Sequence, residues 1–142
     1  VTDPREQLIL ELDRARHGQG EVGAEAVLVR SPTCGDEVRL AVTVEAGVIT
    51  ALRWTGRGCT VSMASASVLA SLAVGMPVGE LGALHGEFRD VVRGPVLDPL
   101  ESDDHRLGDA MAFAGIGRLP LRAGCADLAW RGLERAVGPA GP

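Results

Sequence analysis

Between Trp54 and Val61 the hydrophobic pattern of the chain changes period. Val38, Leu40, Val42 and Val44 alternate with Glu37, Arg39, Thr43 and Glu45, and after the Ala46-Gly47 turn Val48, Leu52 and Trp54 continue the alternation. A period of two is that of a strand with one buried face, so these residues predict a hairpin, and Ala24 to Arg30 reads as a third strand beside it. From Thr60 the spacing is helical, with Val61, Ala64, Ser65, Val68 and Leu72 on one face and Gly75-Met76-Pro77 as the stop. Further helices are expected over Arg5 to Arg16, Glu80 to Val92 and Gly108 to Ala114. The last helix is expected from Pro120, with Leu121, Cys125, Leu128, Leu133 and Ala136 inward and Arg131, Glu134 and Arg135 outward. Pro95 to Asp104, with two prolines and the acids Glu101, Asp103 and Asp104, reads as loop. Strands grouped early and helices grouped late define an α+β class: a small three-stranded antiparallel sheet with helices packed on one face.

At 142 residues the chain is expected to be one domain over 1–142, with an N-terminal helix and mobile segment over 1–22 and a frayed tail over 138–142. Its 19 acidic and 14 basic residues give a net charge of −5, and no basic run interrupts it, so nucleic acid is not an expected partner. All the basic residues are arginine, which reads as the codon usage of a GC-rich genome and excludes lysine Schiff-base chemistry. No residue from Gly58 to Gly79 is charged, a length that could span a bilayer. Ser62, Ser65, Ser67, Ser71 and Pro77 make that stretch a poor membrane segment and a good tightly packed helix, so no membrane is expected. Asp3, Glu6, Glu11 and Asp13 are unlike the charged start of a secretory signal, and the expected compartment is the cytoplasm.

Three cysteines exclude a complete disulfide set. Cys34 lies in a Gly-containing turn between the first two strands, from which its sulfur and the Asp36 carboxylate are expected to point outward. Cys59 lies where the third strand hands over to the first long helix, and Cys125 near the start of the last. There is no CxxC pair, and each thiol taken singly reads equally well as a small buried hydrophobe, Cys125 most of all. Taken together with Asp36 they supply the four donors of a tetrahedral zinc site, with a net charge of −2 that calls for nearby cations. Arg57 and Arg122 stand two and three residues from cysteines, although a solvated surface charge is the simpler reading of each. The histidines are dispersed and none is assigned to a metal; His105, beside Asp103 and Asp104, reads as part of a solvated loop. The serines from Ser62 to Ser67 stand in no nucleophile elbow and read as small residues for close helix packing.

Three segments, SPTCGDEVRL (Ser31 to Leu40), GRGCTVSMASAS (Gly56 to Ser67) and LPLRAGCADLAWRGLE (Leu119 to Glu134), resemble the IscU-like proteins of iron–sulfur cluster assembly. The long gap before Cys125, and Gly124 where IscU proper has a histidine, make the SufU branch the better match. The N-terminal segment departs from the family, with Asp13-Arg14-Ala15-Arg16-His17 in place of its Tyr, Asn and Pro pattern. The resemblance implies a zinc ion held by Cys34, Asp36, Cys59 and Cys125. It also implies a zinc-dependent persulfide sulfurtransferase in which Cys34 accepts sulfur from a SufS-type pyridoxal-phosphate cysteine desulfurase and passes it to a downstream Fe–S scaffold or apo-protein. Two other readings use the same ligands: a non-enzymatic scaffold holding iron as a labile [2Fe–2S] cluster, and a purely structural zinc module.

Overall fold

The computed structural model describes residues 3–32, 35–96, 106–118 and 120–138. Helix α1 (Pro4–Ala15) starts behind Asp3, whose carboxylate accepts the Arg5 backbone N–H at 2.9 Å. Three antiparallel strands follow in the order β1 (Val27–Arg30), β2 (Glu37–Glu45) and β3 (Val48–Arg57). Helices α2 (Thr60–Ala73), α3 (Leu81–Arg93) and α4 (Pro120–Val137) complete the fold, with short 3-10 turns at Val78–Glu80, Gly108–Phe113 and Ile116–Arg118. The α+β architecture expected from the change of period is the one observed.

The boundaries differ where hydrogen bonds outrank side-chain pattern. β1 starts at Val27 rather than Ala24, because the preceding residues turn, with the Ala26 N–H reaching the Gly23 carbonyl at 3.4 Å. β3 runs on to Arg57, past the last alternating residue, because Thr55, Gly56 and Arg57 pair with Arg39, Val38 and Glu37. The expected helix after Gly108 is a 3-10 turn with Ala110 to Phe113 buried. The Pro95–Asp104 loop falls largely outside the described residues, as do His105 and the side chain of Leu121.

Val38, Leu40, Ile49, Leu52 and Trp54 form the covered face of the sheet. Every residue from Val61 to Ala70 is buried, since α2 has α1, α4 and β3 around it; that surrounding explains a run without charge. Among the described residues no helix is long and apolar enough to cross a membrane. Helix α4 crosses β1 and β2 closely at Gly132, where an added Cβ would sit 2.9 Å from Leu40 Cδ2 and 3.0 Å from Val29 Cγ2. Its apolar face is broader than expected: besides Cys125, Leu128 and Leu133 it buries Ala126, Ala129 and Trp130, with Phe88 stacked on Trp130 at 4.3 Å between ring centroids.

Arg131 and Glu134, expected outward, are half-buried because they join an ionic cluster between α3 and α4. The buried His85 ring faces Asp127 Oδ1 through Nε2 at 2.5 Å and Glu134 Oε1 through Nδ1 at 2.8 Å. Arg89 adds two bonds to the Asp127 carboxylate, at 3.2 and 3.3 Å, and Arg131 Nε lies 3.5 Å from it. Burial pushes the pKa of Asp127 up, toward the neutral form, but the bonds from His85 and Arg89 outweigh it and hold the carboxyl below its ordinary value.

A depressed carboxyl stabilises the fold above its unfolded-state value and loses that contribution as pH falls through its folded one. The melting temperature of Asp127→Asn is therefore expected below that of the parent chain at neutral pH. The gap should close below about pH 4; a gap that stays constant across that range would contradict the pairing.

Candidate metal centre

The loop from β1 to β2 returns on itself, with the Ser31 N–H donating to the Asp36 carbonyl at 2.8 Å and Gly35 in the left-handed region at φ +76°. This turn delivers Asp36 into the protein, not outward as the sequence led us to expect: Asp36 is buried against the start of α2. There Asp36 Oδ2 accepts the Cys59 backbone N–H at 3.1 Å and the Ser62 hydroxyl at 2.7 Å. Cys59 is the N-cap residue of α2 and has no side-chain cap of its own. The Asp36 carboxylate takes that place from another element, where backbone N–H groups at a helix start favour negative charge. Gly58 makes the approach possible, since a Cβ there would lie 2.6 Å from Asp36 Cγ.

Cys59 is exposed, with its sulfur 3.6 Å from the Ser62 hydroxyl, and Cys125 comes to the same place from the second turn of α4, where it is buried. One ligand atom from each of Asp36, Cys59 and Cys125 lies within 4.8 Å of the others. Zinc bonds of about 2.3 Å to sulfur and 2.0–2.2 Å to oxygen place tetrahedral donors roughly 3.5–3.8 Å apart, so two thiols and a carboxylate at these separations fit the ion after a small closure. Cys34, two residues before Asp36, lies outside the described residues.

Arg57 is turned to Glu37, Nε to Oε1 at 3.0 Å, and is 80% exposed. Arg122 is exposed on α4 and lines a cavity of about 400 Å³ with Thr60, Val61 and residues of α1.

Ser62 was not singled out for chemistry by the sequence, where it belongs to a run read as helix packing. The serines of that run are individually engaged: Ser62 with Asp36, Ser65 with the Ala126 carbonyl at 2.5 Å and Trp130 Nε1 at 3.2 Å, and Ser67 with the His17 N–H at 3.0 Å. The only advance signal for Ser62 is its place one turn after Cys59, on the same side of the helix start.

Residues 2–126 match the family model described as the NifU-like N-terminal domain, and the chain belongs to that family. Within it, the SufU/IscU-like resemblance of the sequence is borne out. The iron–sulfur cluster assembly scaffold protein IscU of Streptococcus pyogenes is 36% identical over 121 residues, which is 85% of this chain and 73% of that protein. The zinc-dependent sulfurtransferase SufU of Bacillus subtilis is 30% identical over 132 residues, covering 92% of this chain and 87% of its own length. Among solved structures, the SUF-system scaffold protein SufU of Fervidobacterium islandicum superposes with a TM-score of 0.76 at 25% identity, over 93% of this chain and 95% of that one.

Losing the Ser62 hydroxyl leaves Asp36 with one fewer donor to hold its orientation. Ser62→Ala is expected to weaken Zn²⁺ binding by about 10- to 100-fold in competition with a chromophoric chelator, while the circular dichroism of the helices stays unchanged. Unaltered affinity would mean that the hydroxyl contributes nothing to the donor set.

Proposed function

We propose that this protein is a zinc-dependent sulfur acceptor in iron–sulfur cluster assembly, taking sulfane sulfur on Cys34 from a SufS-type pyridoxal-phosphate cysteine desulfurase in the cytoplasm. The chain works as one domain, and the ligand set is Cys34, Asp36, Cys59 and Cys125. The observation that carries this reading is the meeting of Asp36, Cys59 and Cys125 within 4.8 Å from three separate parts of the chain. The SufU relative named a zinc-dependent sulfurtransferase supports it.

Zinc, when bound, keeps thiols deprotonated at neutral pH and, having no redox chemistry of its own, does not promote their oxidation. The rest is the work of this chain. Asp36 is fixed by Ser62 and the Cys59 N–H beside the two thiols, and the left-handed Gly35 beside Cys34 gives a turn that a side chain would strain. In the transfer, the Cys34 thiolate attacks the terminal sulfur of the donor's cysteine persulfide. A new S–S bond forms at Cys34, the donor's S–S bond breaks, and its electron pair leaves on the donor cysteine as thiolate. The proton of the persulfide travels with the transferred sulfur, so no external oxidant or reductant is needed. The sulfur then passes to a downstream scaffold or apo-protein.

A second reading, a non-enzymatic scaffold for a labile [2Fe–2S] cluster on the same residues, is favoured by the 36% identity to a relative named a scaffold. Mass spectrometry after incubation with a cysteine desulfurase and cysteine separates the two. One additional sulfur on Cys34 of the zinc-loaded protein, lost in Cys34→Ala with the fold intact, is expected. Iron with acid-labile sulfide and no such adduct would favour the scaffold, and global unfolding of Cys34→Ala would favour a structural zinc site.

A further inference from the structure

The strands carry four arginines, Arg30, Arg39, Arg53 and Arg57, and two glutamates, Glu37 and Glu45, a balance of +2. The rest of the chain has ten arginines against 17 acidic residues, a balance of −7. Charge is thus segregated by element. Codon usage accounts for arginine in place of lysine; it does not account for this segregation.

Register puts these charges on one surface. Val38, Leu40, Leu52 and Trp54 are buried, so by the strand period Arg39, Arg53 and Arg57 stand on the opposite, uncovered face. Arg30 opposes Glu37, which opposes Arg57, and the glutamate is bonded at 3.0 Å to both. Arg39 opposes Thr55, so its diagonal neighbours are Arg53 and Arg57. Like charges at such neighbouring positions weaken a sheet, and here Glu37 is the sole acid among them, since Glu45 lies at the hairpin end. The arginine-rich end runs directly through Arg57 and Gly58 into the exposed Cys59.

We propose that the uncovered face of the sheet docks a carboxylate-rich surface of a protein partner and brings that partner to the thiol end of the molecule. This deepens the proposed function, and rests on it, in taking the partner to be the sulfur donor. Charge complementarity selects the occupant. The basic area is about 10 Å across, three strands at the usual spacing, and is enclosed by a molecule of opposite sign. A compact acidic protein surface fits that pattern, whereas an extended nucleic acid would meet repulsion beyond it. Such a surface acts chiefly on encounter rate and orientation.

The test uses the full chain with zinc, titrated by nuclear magnetic resonance with a short oligoglutamate peptide and, separately, a single-stranded oligonucleotide of equal charge. Expected are shifts confined to the three strands with the peptide, fading as salt is raised, and absent in Arg39→Glu/Arg53→Glu. An equal charge change elsewhere, Arg14→Glu/Arg118→Glu, should leave them intact. No shifts, shifts on other elements, or tighter binding of the oligonucleotide would overturn the inference. In parallel, the rate of persulfide formation on Cys34 from the desulfurase should fall about tenfold in Arg39→Glu/Arg53→Glu at low salt with zinc content unchanged. Equal rates would overturn the docking face while leaving sulfur acceptance in place. No persulfide even on the parent chain would defeat sulfur acceptance and with it the donor as occupant, the peptide arm still deciding whether the face takes acidic protein.

Discussion

The carboxylate of Asp36 at the start of α2 is the contact on which the rest of the site depends. It joins the β1–β2 loop to the buried helix α2, accepting the Cys59 N–H and the Ser62 hydroxyl on one oxygen. A buried carboxylate without donors would be costly, and a helix start without a cap would leave N–H groups unsatisfied; each resolves the other. The side chain that closes the helix end also lies beside two sulfurs, so the same folding step brings Asp36, Cys59 and Cys125 together. Gly58 belongs to the same arrangement, since any side chain there would occupy the space of the Asp36 carboxyl.

Helix α4 supplies the opposite wall. Its Gly132 lets it lie close on Leu40 and Val29, and Trp130, stacked on Phe88 and beside His85, fixes its rotation. Cys125 is therefore presented from a rigid element, whereas Cys59 is exposed at a helix start. The ionic cluster of His85, Asp127, Glu134 and Arg89 ties α3 to the same helix just beyond Cys125. A site built this way has one buried thiol on a braced helix and one exposed thiol next to the arginine-bearing strands.

Much of this was legible in the sequence because it is written in local periodicity: the alternation from Val38 to Trp54, the helical run after Thr60, and Cys59 at the junction between them. The cysteine-bearing segments and Asp36 identified the donor types, and the structure brings three of those residues together. What was not legible depends on partners distant in the chain. Asp36 reads as an exposed turn residue until Ser62, 26 positions later, is placed against it. His85 gives no sign of burial, because its two carboxylates come from α4, 42 and 49 positions away. Arg131 and Glu134 looked solvent-facing for the same reason, and the arginine face of the sheet emerges only when strand register sets Arg39 diagonally between Arg53 and Arg57.

Zinc K-edge X-ray absorption of the purified protein tests the proposed donor set most directly. Three sulfurs at about 2.3 Å and one light atom at about 2.0 Å are expected, with the light-atom shell altered in Asp36→Cys and the sulfur count reduced by one in Cys34→Ala. A shell without sulfur, or one left unchanged by both substitutions, would contradict a centre made of Cys34, Asp36, Cys59 and Cys125.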